Sequence, residues 1–137
     1  MPKSLNLLLI EDDAIELMKF NRVLKSLDMN HKIIEANNGE EAIAILKEKE
    51  IIPDIIILDL NMPRISGIEF LKILKSDEYL KYIPAIILTT SNHHKDVLDC
   101  YKIGIAGYIL KPLKYEDYIL RVKKMLDYWS VNELISQ

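Results

Sequence analysis

Several things are scarce in this chain. It has one cysteine, Cys100. An internal disulfide and a multi-cysteine zinc site are therefore excluded, and a reducing compartment is the simplest setting. Glycines number four, with no glycine-rich loop to cradle a nucleotide's phosphates. Basic charge is not in excess: 18 Lys and Arg stand against 21 Asp and Glu, a formal net charge of −3. That disfavours non-specific nucleic-acid binding and gives no polybasic attraction to an anionic membrane. Apolar runs are short. The first, 7–10, ends in acids and is too brief for a signal-peptide core or a membrane helix. A cytoplasmic protein with no nucleic-acid or membrane partner is the expectation.

What is present suits one compact domain, with 137 residues of which 50% are hydrophobic and 28% charged. Five apolar runs, 7–10, 33–36, 55–58, 85–88 and 108–110, read as buried parallel strands. Between and after them lie amphipathic segments at 14–27, 39–49, 68–75, 95–103 and 115–128. The segment at 39–49 is expected to bury Ala42, Ile43 and Leu46, and the one at 95–103 to stop at Gly104. A strand–helix unit repeated five times predicts an α/β sandwich, a parallel sheet with helices on both faces. Ligands of such sheets sit beyond the carboxyl ends of the strands, where the strand order switches.

The polar residues after each run therefore matter most. They are Glu11, Asp12 and Asp13 after the first; Asp59, then Asn61, after the third; Thr89, Thr90 and Ser91 after the fourth; and Lys111-Pro112 after the fifth. On parallel strands these groups converge on one rim. Carboxylates packed so closely repel one another unless a cation is present. Oxygen donors without His or Cys favour a hard ion, Mg²⁺ above all. A lysine and a hydroxyl beside it are phosphate partners, and a carboxylate can itself carry the phosphoryl group.

Four stretches carry a family resemblance: Leu-Ile-Glu-Asp-Asp (9–13), Ile-Ile-Leu-Asp-Leu-Asn-Met-Pro (56–63) with Gly67, Leu-Thr-Thr-Ser (88–91), and Gly-Tyr-Ile-Leu-Lys-Pro (107–112). In order and placement they resemble the receiver domains of two-component response regulators. The resemblance covers about 5–128. It implies a doubly wound (βα)₅ sandwich with a flavodoxin-like strand order, 2-1-3-4-5. Residues 5–128 would be the receiver, and 129–137 a C-terminal extension without an output domain. Asp59 would be the phosphoacceptor. Asp12 would bind Mg²⁺ directly, Glu11 largely through water, and Asn61 through its backbone carbonyl. Thr89 would hydrogen-bond the phosphoryl group and Lys111 would pair with it. Tyr108 would be an aromatic switch that turns inward when Thr89 moves. Asp13 reads instead as a helix-end acid. The resemblance also implies a cis Lys111–Pro112 peptide, a histidine kinase as phosphoryl donor, and slow self-dephosphorylation rather than turnover enzymology.

A finer resemblance lies in Ser-Asp-Glu-Tyr-Leu-Lys-Tyr-Ile-Pro (76–84) and Asp-Tyr-Trp (127–129). Both look like the stand-alone receivers encoded beside phytochrome-type kinases, some of which lack the Lys-Pro element kept here. All seven tyrosines lie at 79 or later. Tyr101 and Trp129 read as anchors of a partner surface on the last two helices and the strand between them, the face through which such receivers dimerise. His93 and His94 point different ways as neighbours and read as solvated loop. Cys100 reads as a small core hydrophobe.

Three other readings are separated by single features. A phosphohydrolase with an aspartyl nucleophile wants a second acid two residues later, where Asn61 stands. A flavodoxin-like flavin carrier needs a hydroxyl- and glycine-rich loop where Glu11, Asp12 and Asp13 stand. A degenerate adaptor would lack part of the Asp12, Asp59, Thr89 and Lys111 set.

Overall fold

The computed structural model describes residues 3–49, 51–62 and 64–136. Pro63, which closes the third motif, and Gln137, the end of the extension, lie outside the described residues. The elements run β1 (Asn6–Ile10), α1 (Ala14–Ser26), β2 (Lys32–Ala36), α2 (Gly39–Ile43), β3 (Ile55–Leu58), α3 (Gly67–Ser76), β4 (Ala85–Thr89), α4 (His94–Ile103), β5 (Gly107–Leu110) and α5 (Tyr115–Ser130). All strand pairings are parallel, in the order β2-β1-β3-β4-β5. The expected fold is thus the observed one.

Strand periodicity divides the core in two. Leu8 and Ile10 of β1, Ile56 and Leu58 of β3, and Ala85 and Ile87 of β4 pack with α2, α3 and Cys100 of α4. The alternate residues, Leu7 and Leu9, Ile55 and Ile57, Ile86 and Leu88, pack with Phe20 of α1 and Tyr118 and Val122 of α5. Successive strand residues point to opposite faces, so both faces of β1, β3 and β4 must be apolar. Phe20 and Phe70 are almost wholly buried, one in each half; truncating either to Ala costs about 3–5 kcal/mol.

Helix ends follow local chemistry. Asp13, Asn38 and Ser66 cap α1, α2 and α3, each side chain accepting a backbone N–H of the first turn. α4 ends at Gly104, whose φ of +120° few other residues tolerate. Cys100 is fully buried, and burial, helped by Asp96 and Asp99, pushes its thiol up to about 11. It is the inert hydrophobe expected.

Several local expectations change. The helix at 39–49 passes after Ile43 into a wider π turn, Ala44–Glu48, where Lys49 N–H reaches the Ala44 carbonyl (3.2 Å). The extra residue in that turn shifts the helical face, so Ile45 and Leu46 are buried and Ile43 only partly. Leu80–Tyr82 forms a 3-10 turn that the sequence pattern did not signal. His93 and His94 are exposed; His93 ends the loop as the extended residue before α4, while His94 is the first residue of that helix rather than part of the loop. The Lys111–Pro112 peptide is trans, and no peptide among the described residues is cis. Trans is the lower state of an X–Pro bond. α5 runs through Trp129 to Ser130, past the expected end at 128. The chain then folds back under the sheet, where Leu134 packs on the α1–α5 core half and the Ser136 hydroxyl donates to Asp54.

Candidate functional site

Three strands, β1, β3 and β5, continue their ladders by one residue at the carboxyl end. Glu11 N–H donates to the Ala36 carbonyl (3.0 Å), Asp59 N–H to Ile10 (3.3 Å) and Lys111 N–H to Thr89 (2.8 Å). The alternation therefore still holds at the rim. Glu11, Asp59 and Lys111 follow Leu9, Ile57 and Ile109 and lie toward α1 and α5.

The Lys111 ammonium is the centre of the cluster. Its side chain is 6% exposed. Nζ donates to Glu11 Oε2 at 2.9 Å and to Asp59 Oδ2 at 3.5 Å. Burial works against its charge. The hydrogen bond to Glu11 and the charges of Glu11, Asp59 and Glu16 outweigh burial and hold its pKa above the ordinary value. Burial pushes the Glu11 carboxyl up; Lys111 pulls it back and Asp59 adds to the rise.

Asp59 is gripped from two more sides. The Thr89 hydroxyl donates to Oδ1 at 2.7 Å, and Asn61 N–H donates to the same oxygen at 3.2 Å. In Asn61 it is thus the N–H that engages Asp59. Gly67 keeps this loop close: a Cβ there would stand 2.7 Å from Leu60 Cα and 2.8 Å from the Asp59 carbonyl oxygen. Glu11 Oε1 accepts Asp13 N–H (3.2 Å), and Asp12 is exposed at the mouth.

Thr89 also leads outward. Ser91 N–H donates to Thr89 Oγ1 (3.4 Å), the Ser91 hydroxyl to Asp96 of α4 (2.7 Å), and the Tyr108 hydroxyl to the Ser91 carbonyl (2.7 Å). Tyr108 is half-buried against the α3–α4 core half. Tyr101 is about half exposed. Trp129 packs on the α1–α5 core half and meets Tyr128 edge-on, at 5.1 Å between ring centres. These two aromatics lie away from the rim.

One member of the cluster was not foreseen. Glu16, in the first turn of α1, brings Oε2 to 3.6 Å from Lys111 Nζ. First-turn acids are common helix-dipole partners, and nothing in the sequence pattern marks this one. The strand parity that sends Lys111 toward α1 is the signal that finds it.

The donor set fits a hard divalent cation, being all oxygen. No group of three or more His, Cys, Asp or Glu among the described residues converges closely enough to chelate a metal alone. A Mg²⁺ site, with one or two carboxylates and several waters, does not need such a group.

A doubly wound sheet with carboxylates, a hydroxyl and a lysine at its switch point defines a class of signalling domain. The chain belongs to the response regulator receiver domain family of two-component systems: the family model matches residues 7–123. It is 32% identical over 128 residues to the response regulator Rcp1 of Synechocystis, covering 90% of this chain and 87% of that protein. It is 32% identical over 127 residues to FilR2, a probable methanogenesis regulatory protein of Methanothrix harundinacea, covering 90% and 82%. Among solved structures it resembles the phosphorylated cyanobacterial phytochrome response regulator RcpA, with a TM-score of 0.90, 30% identity, and 96% and 99% of the chains covered. It also resembles the Mn²⁺-bound form of Rcp1, with a TM-score of 0.88, 31% identity, and 95% and 98% covered. Receivers are signalling proteins rather than turnover enzymes, and histidine kinases phosphorylate them. No helix among the described residues is long and apolar enough to cross a membrane.

Proposed function

We propose that this chain is a phosphoacceptor receiver that takes a phosphoryl group from a phosphohistidine onto Asp59. The observation that carries the reading is the convergence on one carboxylate of the Thr89 hydroxyl (2.7 Å) and the Lys111 ammonium (3.5 Å), beside the Glu11–Asp12 pair. Asp59 attacks phosphorus in line; the P–O bond forms as the P–N bond breaks, and the departing imidazole takes a proton from solvent. Lys111 and Thr89 are the side chains placed to meet the transferred oxygens. Asp12, Asp59 and the Asn61 carbonyl would hold Mg²⁺, with Glu11 acting through water, and the bound ion would neutralise charge on those oxygens. Phosphorylation replaces the single negative charge of the carboxylate by roughly −1.5 to −2 on the phosphoryl group. That draws Thr89 and Lys111 toward Asp59 and strains the Ser91 links to Tyr108 and Asp96, a shift between two packings of the β4–α4 loop.

On this reading residues 5–128 are the receiver unit and 129–137 an extension, acting in the cytoplasm. The likeness to RcpA and Rcp1 supports a phytochrome-type kinase as donor. The exposed Tyr101 and the Tyr128–Trp129 pair support a homodimer through α4, β5 and α5. Intact mass after incubation with acetyl phosphate tests the central claim. One phosphoryl adduct is expected, dependent on Mg²⁺ and absent in Asp59→Asn. A folded wild type that takes no adduct with Mg²⁺ present overturns the reading.

A further inference from the structure

The Lys111 ammonium has three carboxylate neighbours, and only two of them belong to the reaction as argued above. The third, Glu16, is held in an unusual way. Its side chain is 22% exposed, yet Oε2 is buried and has no hydrogen-bond partner among the described residues. It stands 3.6 Å from Lys111 Nζ, while Oε1 stands 3.6 Å from Lys19 Nζ. Lys19 in turn sits 4.7 Å over the Tyr118 ring. An acid kept only for the helix dipole or for its i,i+3 pair would turn both oxygens to water. Instead Glu16 lines a cavity of about 10 Å³, room for a single water, shared with Glu11, Asp59, Lys111 and Tyr118. Its apolar wall, Leu9, Phe20, Ile57 and Leu88, keeps the local dielectric low, so charge there is felt strongly.

Charges thus alternate from the reacting group into α1: Asp59, Lys111, Glu16, Lys19. Any pull on Lys111 by Glu16 opposes the pull by Asp59. We propose that Glu16 is a positioning residue for the Asp59 reaction: it competes with Asp59 for the Lys111 ammonium and adds to the negative charge that draws a divalent cation and repels an anionic phosphoryl donor. This role rests on the phosphoacceptor reading.

The two consequences have opposite signs, which separates the role from mere support of the fold. Glu16→Gln keeps the shape and removes the charge. Calorimetry with Mg²⁺ alone should show affinity weakened about threefold or more, the size of one partly shielded charge interaction. The rate of adduct formation from acetyl phosphate at saturating Mg²⁺ should rise by a similar factor, because Lys111 is released to Asp59 and the donor meets less negative charge. Glu16→Asp, which keeps the charge, should restore Mg²⁺ affinity. Lys19→Gln removes the competing cation on the far side of Glu16 and should move both quantities the other way. Glu16→Gln with both quantities within twofold of wild type overturns the proposal. So does a fall in both with a lowered melting temperature, since that marks a structural role. A wild type that forms no adduct overturns the function this role serves, and is told apart because it fails before any variant is made.

Discussion

The two edges of the sheet hold buried acids in opposite ways. At the carboxyl edge, Glu11 is 4% exposed and shares one ammonium with Asp59 and Glu16. At the amino edge, Asp54 is also 4% exposed. It accepts Asn6 N–H at 2.7 Å and the Ser136 hydroxyl. The neighbouring His31 accepts Leu5 N–H at Nδ1, at 2.9 Å. At the amino edge Asp54 and His31 Nδ1 accept backbone and hydroxyl donors of the chain itself, while His31 Nε2 is buried without a partner among the described residues. The carboxyl edge gathers three carboxylates on one lysine, an excess of negative charge that a bound cation would relieve. One edge is built for stability and the other for chemistry.

Substitutions at the two edges should separate these roles. Lys111→Met gives the largest effect. It strands buried carboxylates without their counter-ion and should cost about 3 kcal/mol in urea unfolding, with adduct formation lost. Asp54→Ala should cost about 1–3 kcal/mol, because Asn6 N–H and the Ser136 hydroxyl lose their acceptor, while the rate of adduct formation stays at the wild-type value; a slowed rate would break the division of labour. Glu11→Gln should leave stability within about 1 kcal/mol of wild type, since Asp59 and Glu16 remain beside Lys111 to balance its charge, yet slow adduct formation tenfold or more. A large stability loss there would mean that the carboxyl edge is structural too.

The smallest effect is a pH dependence at the amino edge. Burial lowers the His31 pKa, only partly offset by Asp127. Below the ordinary histidine value the unfolded chain binds a proton that the folded chain does not. Stability contributed by His31 is therefore present above that value and drains away as pH falls through it. Urea midpoints of wild type and His31→Gln should converge between pH 7.5 and pH 5.

The sheet was legible because its apolar runs are short, separate and bounded by turn residues, so period and spacing leave few alternatives. The rim was legible for the same reason. Asp12, Asp59, Thr89 and Lys111 each sit one or two residues past an apolar run, and parallel strands can only bring such residues together. Ile45 taking the place of Ile43 was not legible, because a π turn changes a helix's phase without changing its composition. Nor was the trans Lys111–Pro112 bond, which the family resemblance had set as cis. The tail escaped as well: its anchors, Leu134 and Ser136, are single residues whose partners lie far off in the chain.

The sequence alone determined the order of strands and helices, the two-sided apolar strands, and the chemistry gathered at their carboxyl ends, since these follow from local periodicity and position. Tertiary structure decided how that chemistry is shared. By spacing, Glu16 is an ordinary first-turn acid facing solvent. Only the packing of α1 beside α5, with three strands in the same side-chain register, brings it to 3.6 Å from Lys111. Which carboxylates an ammonium must balance depends on distances across the sheet, and no spacing along the chain carries them.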